Sequence, residues 1–190
     1  MLIAFKITVP ISHALRKNSL LLFNIQMKLQ GNDVAGLTEI LTRDNVWSTW
    51  KFFKYENIDI SSWNTSENEA KKVDLFNLNI LHLAVIMQRY ECACAITELA
   101  NEKDCLNELL NAKVEAQPQK GYLPYSCKWY FDANVIHLAA NFSEKALYHF
   151  INKLKLNEEV LKELKDNCTN KAQFSPLHIA AVQQNAISTM

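Results

Sequence analysis

Histidine and cysteine are the residues of this chain that could bind a metal ion or supply acid–base and nucleophilic chemistry. The chain has five of each. His82, His137 and His178 stand in the same short block, apolar–His–apolar–Ala–small, which gives them a structural role. The other two, His13 and His149, form no metal-spaced pair, and the sequence has no glycine-rich phosphate loop or nucleophile elbow. We therefore predict no enzyme activity, catalytic residue, metal site or cofactor.

The cysteines are predicted to be free thiols that do not bind a metal ion together. Cys92 and Cys94 are two positions apart on a predicted helix, which rotates them by about 200° and points them to opposite faces. Cys105, Cys127 and Cys168 are predicted to be small buried or half-exposed side chains. An odd cysteine count without a recognisable signal peptide indicates reduced thiols, so we expect a cytoplasmic or nuclear protein.

The repeated block implies stacked helix-turn-helix units. Its three copies are LHLAV at 81–85, IHLAA at 136–140 and LHIAA at 177–181. Asn79, Asn134 and Ser175 stand where a helix begins, so their side-chain oxygens are predicted to cap it. Pro176 then occupies the first helical position, where its missing N–H costs nothing.

The third copy, Ser175-Pro176-Leu177-His178-Ile179-Ala180, resembles the Thr-Pro-Leu-His-x-Ala motif of the ankyrin-repeat family. The resemblance implies that each histidine bonds to backbone or hydroxyl groups of a neighbouring unit. It also implies a turn before each block, in which Asn77, Asp132 and Gln173 occupy the family's glycine position. Asn and Asp tolerate the left-handed conformation, whereas Gln does not, so the third turn is predicted to be irregular.

Two insertions separate the copies, because His137 follows His82 by 55 residues and His178 follows His137 by 41, against about 33 in the family. Residues 101–110 and 157–164 each open with Asn and an acidic turn and end apolar, which predicts an extra short helix. The predicted fold is therefore an all-α, ankyrin-like helix-turn-helix solenoid with extra short helices in its insertions. The aromatic-rich stretch 116–131 either packs back on this scaffold or contacts a partner.

The predicted organisation has three parts. Residues 1–18 form an N-terminal tail, and residues 19–73 form a degenerate repeat, with Gly31 between its helices, or a separate N-terminal cap. The role of the aromatic residues between positions 45 and 69 stays open. Residues 74–190 hold the repeats, and the last repeat is incomplete at Met190. We expect either a piece of a longer protein or a unit that a partner completes.

Composition narrows the partner class. The chain has 20 basic and 20 acidic residues, so it lacks the basic surplus of nucleic-acid-binding proteins. No apolar run approaches the roughly 20 residues that span a bilayer, so no membrane insertion is expected.

The predicted function is a protein-protein interaction module, an ankyrin-repeat adaptor or scaffold. The resemblance places the partner on the concave face, and the aromatic insertion adds to it. The predicted contact residues are Arg89, Tyr122, Trp129, Tyr130, Phe142 and Glu144. Further positions carried over from the family are Ile86, Met87, Asn141, Asn170, Lys171, Val182 and Gln183. The alternative is an ankyrin segment that regulates an enzyme or channel within a longer polypeptide.

Overall fold

The protein is mixed α/β, and the prediction of an all-α fold is wrong. A computed structural model describes residues 13–43, 53–60, 68–122, 125–154, 162 and 173–182. Over these residues it has eight α-helices and a three-stranded antiparallel sheet, and strands account for 16% of the interpretable residues. Two of its strands lie in the aromatic-rich segment 45–69 and in the first insertion, where no strand was predicted from the sequence.

The helices follow the repeated blocks and the segments between them. Their bounds are α1 His13–Gln30, α2 Val34–Arg43, α3 Ile80–Ile86, α4 Tyr90–Glu102, α5 Leu106–Asn111, α6 Val135–Phe142, α7 Glu144–Asn152 and α8 Pro176–Val182. A 3₁₀ helix covers Tyr125–Tyr130. An extra helix is found in the segment 101–110, as α5, but it begins at Leu106 and not at the predicted Asn101 cap, because α4 extends to Glu102 before the chain turns. Helix α1 begins inside the predicted tail, and the second extra helix falls mainly outside the described residues.

The sheet consists of β1 Phe53–Asp59, β2 Lys72–Leu78 and β3 Glu115–Pro118, in the order β1-β2-β3. Phe53 pairs with Leu78, and Val73 pairs with Pro118. In β2 the fully buried Val73 and Leu75 alternate with more exposed side chains, which is the period of a half-buried strand. The physical reason for the missed sheet is that its register joins segments distant in sequence.

The helices pack in two rows. In one row α6 contacts both α3 and α8, the helices that carry the three repeated blocks. In the other row α4 contacts both α2 and α7. Consecutive helices also pack as pairs, namely α1 with α2, α3 with α4 and α6 with α7. Their apolar sides meet in the hydrophobic core.

Each of the three block helices begins with a reciprocal pair of hydrogen bonds between its cap residue and the block histidine, and at α8 the pair joins the predicted cap Ser175 to His178. The Asn79 side chain accepts a hydrogen bond from the His82 N–H, and the His82 imidazole accepts one from the Asn79 N–H. Asn134 and His137 repeat this exchange at the start of α6. The predicted Asn caps are confirmed, and both arrangements are buried, so they satisfy backbone groups that water does not reach.

The turn before each block uses the same backbone conformation. Asn77, Asp132 and Gln173 have φ of 58°, 61° and 53°, and each lies two residues before its helix cap. The prediction of an irregular third turn is wrong, because Gln173 adopts the left-handed region as well. Its side chain is exposed, so the strained conformation meets no additional packing conflict.

Candidate functional site

The block histidines hold the scaffold together. His137 is fully buried, and its Nε2 lies 3.2 Å from the Phe174 carbonyl oxygen of the following unit. Because Nδ1 accepts from the Asn134 N–H, Nε2 carries the proton and donates to Phe174. His178 makes the same local contact with the Ser175 N–H, at 3.1 Å, but is exposed to solvent. Both ring nitrogens of His137 are therefore used in hydrogen bonds that stabilise the scaffold.

The aromatic insertion packs back on the scaffold at Trp129 and Tyr130. Their exposed fractions are 1% and 2%, and their rings stack with centroids 3.9 Å apart. Asn141 donates to the Tyr130 hydroxyl at 3.4 Å, and burial raises the pKa of that hydroxyl above its ordinary range. A buried side chain offers a partner no surface, so these two residues belong to the core and not to the predicted contact set.

Among the aromatic residues of this insertion whose side chains the structure describes, Tyr122 is the exposed one, with an exposed fraction of 55%. Its backbone is fixed, because its carbonyl accepts from the Ala70 N–H at 2.8 Å and it bridges to Glu69. The preceding Gly121 has φ of 74°, and a Cβ there would lie 2.3 Å from the Asn68 carbonyl oxygen. Tyr122 is therefore presented to solvent from a turn that requires glycine.

An open cavity lies next to Tyr122, at the end of the sheet where β2 begins. Its volume is about 660 Å³, and its lining residues are Asn68, Glu69, Lys71, Lys72, Gln119, Lys120 and Gly121. Cations, amides and one carboxylate line it, which suits a polar contact surface and not an apolar ligand pocket.

Arg89, Phe142 and Glu144 lie elsewhere. Arg89 follows the end of α3, whereas Phe142 ends α6 and Glu144 starts α7; all three are half-exposed. The Phe142 ring lies 6.4 Å from the Tyr130 ring. Tyr122 instead stands beside the Lys72 end of β2. Because Trp129 and Tyr130 are buried, the predicted contact residues are not all available to a partner.

The positions carried over from the family are divided in the same way. Ile86 is buried, Met87 is half-buried, and Asn141 is engaged with Tyr130. Asn170, Lys171, Gln183 and the side chain of Val182 lie outside the described residues.

Sequence reasoning missed an exposed apolar stripe on α1. Leu20, Phe23 and Met27 have exposed fractions of 63%, 51% and 49%, and their spacing of three and four places them on one side of the helix. The other side buries Leu22, Ile25 and Leu29 with the same spacing. The sequence contained a signal for this stripe, namely apolar residues on two opposite sides of one helix. Such a helix either packs against other elements on both sides or presents one side to a binding partner.

Two further findings concern the described residues alone. No group of three or more His, Cys, Asp or Glu side chains among them is placed to hold a metal ion. None of their helices combines the length and apolar character needed to cross a bilayer. Comparison of the chain with models of known families, with curated proteins and with solved structures finds no match.

Proposed function

We propose that this chain is a protein-binding module made of stacked helix pairs, of the kind that the ankyrin resemblance implies. The exposed stripe Leu20, Phe23 and Met27 on α1 is the observation that carries the proposal. Contiguous exposed apolar side chains are typical of interaction surfaces. The packing of α3, α6 and α8 in one row supports the repeat character of the module.

The proposed occupant of the stripe is an amphipathic α-helix of another protein. On the opposite side of α1, the apolar residues at the same spacing pack against α2, whose Leu37 and Leu41 are buried. The chain therefore already covers one such stripe with a helix. Lys28 of α1 is ion-paired with Asp33, and the exposed Asn24 is uncharged, so recognition rests on apolar contact.

The half-exposed residues Arg89, Phe142 and Glu144, together with Tyr122, remain candidates for a second contact. Tyr and Arg are enriched among residues that contribute most to binding. We propose a cytoplasmic or nuclear location, and the four free cysteines among the described residues support this proposal.

The test compares three forms of the intact chain. The stripe variant carries Phe23→Glu and Met27→Glu, and the control carries Tyr148→Glu, a change at a residue on α7 that is 47% exposed. Each form is used for proximity labelling in its native cells, and a protein labelled by the parent and the control but lost with the stripe variant is then purified. We expect its Kd to rise about 30-fold or more in the stripe variant.

Surface substitutions of this kind change the free energy of unfolding by about 0.5 kcal/mol or less, so all three forms should melt alike. A labelled set that is the same for the stripe variant and the parent would refute the stripe as the binding surface. Tyr122→Ala is labelled as a fourth form, and a labelled set that changes only with this variant would place the interface at Tyr122.

A further inference from the structure

Helices α4 and α7 bring a thiol and an imidazole together across two units. Cys94 Sγ lies 3.6 Å from His149 Nδ1, although the residues are 55 positions apart in sequence. His149 is 8% exposed, whereas Cys94 is only half-buried. Cys94 is thus partly exposed to solvent, and the imidazole beside it is held within the helix interface.

The hydrogen bonds around the pair fix the position of the imidazole proton. Thr97 donates its single hydroxyl hydrogen to the Cys94 carbonyl at 2.8 Å. The 3.1 Å contact between Thr97 Oγ1 and His149 Nε2 therefore requires Nε2 to donate. The lone pair on Nδ1 then faces Cys94, so the thiol donates to it. A base oriented by a third group beside a potential nucleophile is the arrangement that activates cysteine in other sites.

Tyr90 completes the cluster. Its ring meets the His149 ring edge-on with centroids 6.1 Å apart. By contrast, Cys92 on the same helix is fully buried and contacts Asn32, as expected for a thiol on the opposite face.

We propose that Cys94 is a modification site, at which His149 activates the thiol for exchange with low-molecular-weight disulfides. The Cys94 proton passes to His149 Nδ1, and the resulting thiolate attacks one sulfur of the disulfide. A new S–S bond forms to Cys94 while the old one breaks. The departing sulfur leaves as a thiolate and takes the proton from the imidazolium. Cys94 is oxidised and the departing half is reduced, so electrons balance.

The electrostatics keep both groups of the pair neutral at rest. Burial lowers the pKa of His149, with Glu98 opposing and Lys153 adding to that effect, so the ring is neutral near pH 7. Burial also raises the pKa of Cys94, with Glu98 and Glu91 adding, while the Tyr90 hydroxyl lowers it. The resting pair is therefore uncharged, so the proton must move to His149 Nδ1 as the sulfur attacks the disulfide.

The experiment uses the intact chain and glutathione disulfide as the probe. Site-resolved rates are measured by peptide mapping in a mass spectrometer, with Cys105, half-buried before α5, as the internal control. We expect Cys94 to react at least about tenfold faster than Cys105. His149→Gln, which keeps a polar side chain but removes the base, should abolish that advantage and leave Cys105 unchanged.

A rate at Cys94 no higher than at Cys105 would overturn the proposal, as would an unchanged rate in folded His149→Gln. If that variant does not fold, the buried Cys92 and Cys127 will react too, and Thr97→Val then decides. Thr97→Val leaves the base in place without its orienting partner, so Cys94 should slow about threefold or more. An unchanged Cys94 rate in Thr97→Val would refute activation by this cluster.

Discussion

Replacing His137 by Ala tests whether the block histidine stabilises the stack through its two ring nitrogens. The residue is fully buried, its Nδ1 accepts from the Asn134 N–H, and its Nε2 donates to the Phe174 carbonyl of the next unit. The matched control is His178→Ala, which removes the same capping contact, with the Ser175 N–H, from an exposed position. The two variants therefore differ in burial and in the bond between units.

The magnitude follows from what each substitution leaves behind. Loss of the bond to Phe174 costs about 1 kcal/mol, and leaving the buried Asn134 N–H without its partner costs about 1–3 kcal/mol more. His137→Ala should therefore lower the free energy of unfolding by about 2–4 kcal/mol. His178→Ala should cost only about 0.5–1 kcal/mol, because water replaces the lost ring nitrogen at the exposed Ser175 N–H.

The assay is urea unfolding of both variants at neutral pH, followed by far-UV circular dichroism and checked for two-state behaviour. The expected gap between the variants is about 2 kcal/mol at an unchanged m-value. Equal losses in both would refute the bond to Phe174 as the source of the difference. A loss below about 1 kcal/mol in His137→Ala would show that the buried cap contributes no more than an exposed one.

Three further predictions concern other parts of the scaffold. Trp129→Ala should lower the free energy of unfolding by about 3–5 kcal/mol, and the exposed Tyr122→Ala by about 0.5 kcal/mol or less; equal losses in urea unfolding would contradict their different burial. Because the pKa of His149 is lowered from 6.5, stability should fall as the pH drops from about 6.5 through the folded-state pKa, and His149→Gln should lack this component in a pH series of melting curves. Gln173→Gly should be more stable than Gln173→Ala by about 1 kcal/mol, since only glycine adopts φ of 53° without strain; equal melting curves would argue against that conformation.

The sequence determined the features that depend on neighbours along the chain. The caps Asn79 and Asn134 bond to groups three residues away, so residue type and spacing were sufficient to predict them. The opposite orientation of Cys92 and Cys94 follows from helical rotation alone, and the structure gives them different neighbours. Local geometry fixes such features whatever the rest of the chain does.

Only the tertiary structure decided the features that join distant segments. Phe53 pairs with Leu78 and Val73 with Pro118, and these contacts turn short apolar stretches into a sheet. Aromatic residues suit both cores and interfaces, so the sequence left Trp129 and Tyr122 undivided. Their exposed fractions of 1% and 55% separate them, because the former stacks on its neighbour within the core and the latter projects from a turn.

The Cys94–His149 contact shows the same division. Each residue alone was an ordinary helical position in the sequence, and 55 intervening residues carry no signal that they meet. The meeting depends on the packing of α4 against α7, which the apolar faces of both helices determine together. Pairwise chemistry of this kind is set by how whole elements pack, and a pattern read along one element does not contain it.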